Sequence, residues 1–223
     1  MTNNGKQFAG VKALVFDLDG TLIDSKEDLA LSMNATLQHL GRAPIEDERI
    51  YGYVGGGVQL LVKRALADGA TDEEIERGMA YFLEYYRAHM LDHTVPYPGV
   101  REALDTLVGR ELAVLTNKPV NFSKAILNGL RMTDYFRYVY GGNSFEKKKP
   151  DPVGLNTLLR DLQAAPREMM MVGDSDVDIQ TARNAGTWAC GVTYGLGSSK
   201  LPACEPDLLL DSLEELPAYL EAK

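Results

Sequence analysis

The chain has 223 residues, of which 45% are hydrophobic and 25% are charged, and its formal net charge at pH 7 is -9. This length can bury a large core, in one domain or in two modest ones, and the composition is that of an ordinary globular protein. The negative charge argues against a nucleic-acid-binding protein, and no apolar run approaches the ~20 residues that cross a bilayer.

The first predicted strand ends in two acidic residues. Residues 1–10 are expected to form a frayed tail, and the apolar run Ala13–Phe16 that follows is predicted to be a buried strand. Asp17 and Asp19 come directly after it. Because an unpaired buried carboxylate is costly, we expect a positive group to lie at this strand end.

The next segment has the pattern of several helices. Ser25 with Asp28 has the spacing of a capping box, in which two side chains satisfy the free backbone groups of a helix start. Thr71 with Glu74 has the same spacing. A glycine-rich turn, residues 52–57, precedes another helical pattern.

The rest of the chain alternates between helix and strand. Helices are predicted at residues 100–108, 120–130, 152–162, 177–185 and 213–220, and strands at 112–115, 138–140, 169–172, 188–192 and 207–210. Such alternation is typical of a parallel sheet with helices on both faces. We therefore predict an α/β fold: a doubly wound parallel sheet, a Rossmann-like core of residues 1–23 and 95–223, with residues 24–94 inserted as a small helical cap domain.

Polar residues collect at the predicted strand ends. In open α/β sheets, ligands bind at the carboxyl ends of the strands. The residues placed there are Asp17, Asp19, Thr116, Asn117, Lys118, Lys149, Asp174, Ser175 and Asp178. Clustered carboxylates require a cation, whereas a hydroxyl and a lysine suit an anion. The combination is the equipment of phosphoryl transfer.

These segments, in this order, resemble the haloacid dehalogenase superfamily of phosphohydrolases over residues 11 to about 210. The resemblance is carried by four motifs: Asp17-Leu-Asp19-Gly20-Thr21, Thr116-Asn117, Lys149-Pro150-Asp151-Pro152 and Gly173-Asp174-Ser175-Asp176-Val177-Asp178. The inserted helices are similar to the small cap of one branch. Within that branch, residues 53–62 and 115–119 most resemble the bacterial phosphoglycolate phosphatases.

The resemblance implies a Mg²⁺-dependent phosphomonoesterase, with 2-phosphoglycolate as the preferred substrate. Asp17 would attack phosphorus and form an aspartyl-phosphate, and Asp19 would act as the general acid and then the general base. The Mg²⁺ ligands would be Asp17, the backbone carbonyl of Asp19 and Asp174.

The remaining motif residues would hold the phosphate or support the metal. The phosphate would be bound by Thr116, Asn117 and Lys149, together with backbone N–H groups of residues 18–20. Ser175 and Asp178 would lie behind this shell, where Asp178 orients Lys149 or a metal-bound water.

A further hypothesis concerns substrate choice. Glycines let backbone N–H groups approach a ligand closely, and a helix start favours anions. We expect the turn before the predicted helix at Val58 to close over the site, so that its amides or a nearby cation bind the substrate carboxylate. The candidate residues are Tyr53, Gly55, Gly56, Gly57, Lys63 and Arg64.

Other functions fit the same residues. A phosphosugar phosphatase or mutase, a pyrophosphatase or a nucleotidase would use the same scaffold, and a receiver-like regulatory module also has a phosphorylatable Asp, a Thr and a Lys. The large insertion and Asp19 argue against the receiver. We expect a partner that is a small phosphorylated metabolite, no nucleic acid or membrane, and a monomer or homodimer. Cys190 and Cys204 match no metal or disulfide pattern, which predicts a cytoplasmic location.

Overall fold

A parallel β-sheet organises the chain, which the computed structural model describes for residues 7–221. The strands, in chain order, are β1 (Ala13–Phe16), β2 (Ile23–Asp24), β3 (Val95–Pro96), β4 (Glu111–Leu115), β5 (Tyr138–Tyr140), β6 (Met169–Gly173), β7 (Trp188–Val192) and β8 (Leu208–Leu210). The α-helices are α1 (Lys26–His39), α2 (Asp47–Tyr51), α3 (Val58–Leu66), α4 (Asp72–His89), α5 (Val100–Thr106), α6 (Val120–Gly129), α7 (Val153–Asp161), α8 (Asp176–Ala185), α9 (Leu201–Cys204) and α10 (Leu216–Leu220).

Six strands form the main sheet, in the order β5-β4-β1-β6-β7-β8, and all neighbours are parallel. The central strand β1 pairs Phe16 with Val114 on one side and with Val172 on the other. The chain passes from β1 to β4 and β5 on one side and then crosses to β6, β7 and β8 on the other, so the carboxyl end of β1 opens into the crevice where such sheets bind ligands. The predicted α/β fold is confirmed.

Alternate side chains of β1 point to two apolar layers. Leu14 and Phe16 join the core shared with α5, α6 and the inserted helices, whereas Ala13 and Val15 pack with residues of α7 and α8. A strand buried on both faces must be apolar along its whole length, which explains why the first run has no polar residue until it ends.

Helices α1 to α4 lie between β2 and β3, and α1 and α4 pack against each other. The short strands β2 and β3 pair antiparallel, with Ile23 opposite Pro96 and Asp24 opposite Val95. The chain therefore enters and leaves the helical insertion side by side. We propose that this ribbon separates a cap of residues 24–94 from a core of residues 1–23 and 95–223.

One of the two predicted capping boxes is present and the other is wrong. Thr71 Oγ1 accepts the N–H of Glu74 at 3.2 Å, and the Glu74 carboxylate accepts the N–H of Thr71 at 3.1 Å. At the start of α1, however, the Ser25 hydroxyl donates to Asp19 Oδ1 at 2.6 Å instead of capping the helix. Ser25 is buried, and its hydroxyl binds Asp19 in place of a backbone N–H at the start of α1.

Asp28, the second residue of the Ser25–Asp28 pair, forms hydrogen bonds with the chain at the far end of the cap. Its carboxylate accepts the N–H groups of His93 at 3.0 Å and Thr94 at 2.9 Å, and the Thr94 hydroxyl at 2.6 Å. Asp28 is 1% exposed, so water does not compete with its carboxylate as the acceptor of these hydrogen bonds. The carboxylate thus joins α1 to the segment that returns to the core.

The prediction of a frayed tail at residues 1–10 is also partly wrong. Residues 1–6 lie outside the described residues, but Phe8 is buried and its ring meets the edge of Trp188 at a centroid distance of 5.0 Å. Val11 donates its N–H to the carbonyl of Phe8, which closes a turn before β1. Among residues 7–221, no helix is long and apolar enough to cross a membrane.

Removal of the Asp28 carboxylate should weaken the fold. We expect Asp28→Ala to lower the free energy of unfolding by about 3 kcal/mol, because the buried N–H and hydroxyl of Thr94 and the partly buried N–H of His93 lose their acceptor. Urea unfolding measures this change. Glu27→Ala is the matched control: Glu27 is exposed on the same turn and its carboxylate contacts the ring of His93 at the surface, so its loss should change stability by less than about 0.5 kcal/mol. Equal effects of the two variants would contradict this role of Asp28.

Candidate active site

A buried ammonium group lies at the carboxyl end of β1. Lys149 Nζ is 3.0 Å from Asp17 Oδ2 and 2.6 Å from Asp178 Oδ1, and all three side chains are almost fully buried. Burial alone would lower the pKa of Lys149, but Asp17 and Asp178 raise it above its usual value. Lys149 is therefore charged, and it is the positive group that the strand end requires.

Asp178 is fixed on both of its oxygens. Oδ1 faces Lys149, while Oδ2 accepts the N–H of Ser175 at 3.1 Å and its hydroxyl at 2.6 Å. This places Ser175 and Asp178 at the first turn of α8, directly after β6. The carboxylate orients the ammonium of Lys149 toward Asp17.

Asp17 itself is held at two points. Its Oδ1 accepts the N–H of Leu18 at 2.7 Å, and its Oδ2 faces Lys149. Burial raises the pKa of Asp17 to about 6, although Lys149 acts in the opposite direction. Asp17 projects from the end of the central strand as a constrained carboxylate.

Asp174 follows β6 and faces the same point. Its Oδ2 accepts the N–H of Gly197 at 2.8 Å, and its Oδ1 is 3.3 Å from the hydroxyl of Thr21. Gly20 and Gly195 make room for it: a Cβ atom at either position would lie 2.3 Å or less from an Asp174 atom. Burial, with Asp178 and Asp17 nearby, raises the pKa of Asp174 to about 8.

We call Asp17, Lys149, Asp174 and Asp178 the charge cluster. Carboxylate oxygens of its three acids lie within 4.8 Å of one another, and all three residues are buried. When all three acids are ionised, their three negative charges against the one charge of Lys149 leave two uncompensated, which is the charge of one divalent cation. Asp178 already accepts three donors, whereas Asp17 and Asp174 accept two each, so these two residues have more lone pairs left for a metal.

Asp19 belongs to a second, separate ion pair. Lys118 Nζ lies 2.9 and 3.0 Å from its two carboxylate oxygens, and the Ser25 hydroxyl donates to Oδ1. The side chain of Asp19 lies beside the cavity described below, which Asp17 also lines. The two acids of the first motif thus face one space but have different cations.

Thr116 and Asn117 follow β4 on the adjacent strand. The Thr116 hydroxyl oxygen is 3.3 Å from the N–H of Lys118, and its own hydrogen is free to donate. Asn117 donates from Nδ2 to the carbonyls of Gly55 and Lys149, at 3.0 and 3.1 Å. Its side chain therefore connects the cap to the core.

The backbone amides offer fewer donors than expected. In the loop of residues 18–20, the Leu18 N–H is bound to Asp17 and the Gly20 N–H to Ile23. Within residues 7–221, the N–H groups of Asp19 and Asn117 have no acceptor. These two amides are therefore the ones available to a phosphate.

The glycine-rich turn of the cap, residues 53–57, is here called the cap turn. Gly55 and Gly57 line the cavity between the cap and the core, and both have positive φ angles, of 100° and 86°. The contacts that hold the turn are made to its carbonyls: Asn117 binds that of Gly55, and Lys148 Nζ donates to that of Gly56 at 2.9 Å. The turn lies against the site, as expected.

The other cap candidates are not brought to the site. Lys63 and Arg64 are exposed on the outer side of α3, and Arg64 reaches back to the carbonyl of Tyr53 at 3.3 Å. The Tyr53 hydroxyl meets Arg49, and Gly56 does not line the cavity. Their positions favour a structural role in the cap over contact with a ligand.

Several residues of the site have no assigned role in the sequence analysis. Lys118 comes directly after Thr116-Asn117, so the sequence places it at a strand end. The residue type alone does not indicate which acid its ammonium pairs with. Ser25 has the spacing of a helix cap, and Lys148 precedes the third motif without belonging to it. Nothing local in the sequence indicated that Gly197 would bind Asp174.

The chain is similar to known hydrolases over most of its length. The haloacid dehalogenase-like hydrolase family matches residues 14–192. A phosphoglycolate phosphatase of Vibrio parahaemolyticus is 41% identical over 217 residues, with 92% of this chain and 94% of that protein covered. One of Pseudomonas putida is 39% identical over 213 residues, with 92% and 78% covered.

Solved structures agree in fold. A crystal structure from Haemophilus somnus, described as a predicted phosphoglycolate phosphatase, superposes with a TM-score of 0.88 at 31% identity and covers 93% of this chain and 96% of its own. One from Lactobacillus delbrueckii gives 0.87 at 28% identity, with 95% and 99% covered. With the family match spanning the sheet and the cap, the chain belongs to the haloacid dehalogenase-like hydrolases.

Proposed function

We propose that the protein is a Mg²⁺-dependent phosphomonoesterase that hydrolyses 2-phosphoglycolate to glycolate and phosphate through an aspartyl-phosphate on Asp17. The observation that carries this proposal is the charge cluster. It presents one constrained carboxylate, Asp17, beside a buried ammonium, with uncompensated negative charge for a divalent cation. Asp19, two residues further on, supplies a second acid on the same cavity.

The donor set fits Mg²⁺. The ion prefers carboxylate and carbonyl oxygens, and it binds to one or two carboxylates together with substrate phosphates and water. Asp17, Asp174 and the backbone carbonyl of Asp19 would hold it. When bound, Mg²⁺ supplies positive charge to the phosphoryl oxygens and to the carboxylates. Burial and the neighbouring acids Asp178 and Asp17 raise the pKa of Asp174 to about 8, and a bound cation would act against both effects.

In the first step, an oxygen of Asp17 bonds to phosphorus while the bond from phosphorus to the ester oxygen breaks. Asp19, which this step requires in its protonated form, donates a proton to the departing oxygen, which leaves as the hydroxyl group of glycolate. Lys149 stays 3.0 Å from Asp17 and offsets the charge around the transferred group. The Thr116 hydroxyl and the free amides of Asp19 and Asn117 would hold the phosphoryl oxygens.

In the second step, water attacks the phosphorus of the aspartyl-phosphate. Asp19, now ionised, takes a proton from this water, and the bond between phosphorus and Asp17 breaks. Phosphate leaves and both acids return to their starting forms. The contact of Asn117 with the cap turn holds the cap beside the cavity, which would limit the entry of other water.

The size of the cavity supports a small substrate. Its volume is about 50 Å³, whereas pockets for drug-sized ligands are roughly 300–1,000 Å³. The relatives from Vibrio parahaemolyticus and Pseudomonas putida carry the name phosphoglycolate phosphatase, which agrees with this size. Phosphosugars and nucleotides would require a more open cap.

The alternatives separate in one assay. Phosphate release from 2-phosphoglycolate, phosphosugars, pyrophosphate and nucleotides should be fastest for 2-phosphoglycolate. The receiver-like alternative loses support because the chain belongs to a hydrolase family and because Asp19 can discharge the phosphate.

We also propose a cytoplasmic location, since Cys190 and Cys204 are both free thiols. A monomer or homodimer stays a prediction.

Substitutions of the two acids should have different effects. Asp17→Asn should abolish turnover, because an amide does not attack phosphorus, while leaving the thermal unfolding midpoint within a few degrees. Asp19→Asn should lower kcat by about 10²-fold or more through loss of the general acid and base. Steady-state phosphate release measures both. Near-normal activity of purified Asp17→Asn would refute the assignment of Asp17 as the nucleophile.

Metal binding should depend on pH in a defined direction. Because burial raises the pKa of Asp174 to about 8, a proton occupies this carboxyl at pH 6, and its stabilising effect is lost as the pH rises through 8. Mg²⁺ must displace that proton at low pH but not at high pH. We therefore expect MgCl₂ to raise the thermal unfolding midpoint more at pH 8.5 than at pH 6.

The controls for this experiment are KCl at matched ionic strength, which should not reproduce the shift, and Asp174→Asn, which should lose most of it. A shift that is as large at pH 6 as at pH 8.5 would contradict the role of Asp174. EDTA should also silence phosphate release, and Mg²⁺ should restore it.

A further inference from the structure

A second buried lysine lies in the cavity without a part in the chemistry above. Lys118 is 7% exposed, and its ammonium pairs with both oxygens of Asp19. It lies 4.6 Å from the centre of the Tyr86 ring. Burial would lower the pKa of Lys118, but Asp19 and Tyr86 raise it overall, so the group is a cation.

The hydroxyl of Tyr86 is a buried donor without a partner. Tyr86 is 2% exposed, and no residue of the described chain accepts a hydrogen bond from its hydroxyl. Burial raises the pKa of Tyr86 to about 12, so the phenol keeps its proton. A buried polar group is normally satisfied, which points to a ligand that supplies the missing acceptor.

Both groups line the same cavity as Asp17, Asp19 and Thr116. Among the described residues that line it, Lys118 has the only positive charge. The facing wall from α4 and α6 is apolar, with Phe82 and Phe122. An anionic substituent inside this cavity would therefore have one cationic partner.

The position of Asp19 sets the distance from the reacting bond. If Asp19 protonates the ester oxygen, that oxygen lies within hydrogen-bond reach of its carboxyl, and Lys118 is bonded to the same carboxyl at 2.9 Å. In 2-phosphoglycolate the carboxyl carbon is two bonds from the ester oxygen. A carboxylate so close to the reacting bond would lie beside the ammonium of Lys118.

We propose that Lys118 and the Tyr86 hydroxyl together bind the carboxylate of the substrate, and so select small phosphomonoesters with a carboxylate next to the ester carbon. The inference rests on the proposed function and assigns the recognition step to a core lysine and a cap tyrosine. It replaces the amides of the cap turn and Lys63 or Arg64 as the carboxylate partners. The cap turn then has a docking role.

The test compares 2-phosphoglycolate with ethyl phosphate, which has a methyl group in place of the carboxylate. The measured quantity is the ratio of kcat/KM for the two esters, in wild type and in Lys118→Met, with saturating Mg²⁺. A charge-assisted hydrogen bond contributes about 1.5–3 kcal/mol, so the ratio should fall about 10- to 100-fold in the variant. Lys124→Met, an exposed lysine on α6, is the matched control and should keep the wild-type ratio.

A second variant covers the case in which Lys118→Met disturbs Asp19 or the fold. Tyr86→Phe removes only the unpartnered hydroxyl, so it should leave the thermal unfolding midpoint and the ethyl phosphate reaction unchanged. It should raise KM for 2-phosphoglycolate about 3- to 10-fold, in line with one lost hydrogen bond.

The outcomes distinguish the inference from the function. Equal losses for both esters in Lys118→Met, with no selective effect of Tyr86→Phe, would overturn the carboxylate site and leave the phosphatase in place. A wild type that hydrolyses ethyl phosphate as well as 2-phosphoglycolate would overturn the carboxylate site and the substrate assignment. A wild type that hydrolyses no phosphomonoester would overturn the proposed function.

Discussion

The ammonium of Lys149 is the interaction on which the site depends. It lies between Asp17 and Asp178, and without it the sheet would end in three buried carboxylates with no cation. Such a cluster is costly unless charges are paired. The ammonium offsets one charge, and a divalent cation could offset the two that remain when all three acids are ionised. The uncompensated charge lowers the stability of this edge of the sheet, and the same charge would attract a metal ion.

The sheet could be predicted from the sequence because its strands are short apolar runs and its helices have regular spacing. The cap connections were harder. Ser25 and Asp28 have the spacing of a capping box, and Thr71 and Glu74 have it too, yet only the second pair caps a helix. The difference comes from tertiary partners: the first pair is buried and finds Asp19 and Thr94, which local spacing does not reveal.

The same limit applies to the site. Asp17 and Lys149 follow from motifs, because a buried strand end restricts where their side chains can point. Lys118 could be located at a strand end but not assigned to Asp19, since that contact depends on how a four-carbon side chain folds back. The bond from Gly197 to Asp174 depends on a loop that follows β7 and has no pattern of its own.

The two contacts that dock the cap turn have an evolutionary consequence. Asn117 and Lys148 both bind carbonyl oxygens of the turn, those of Gly55 and Gly56, and neither touches a side chain there. Every amino acid provides a carbonyl, so outside Gly55 and Gly57, whose positive φ angles favour glycine, these contacts place few demands on the residues that the cap presents to the cavity. Side chains on α3 and α4 can therefore diverge toward new substrates while the cap still closes over an unchanged catalytic core.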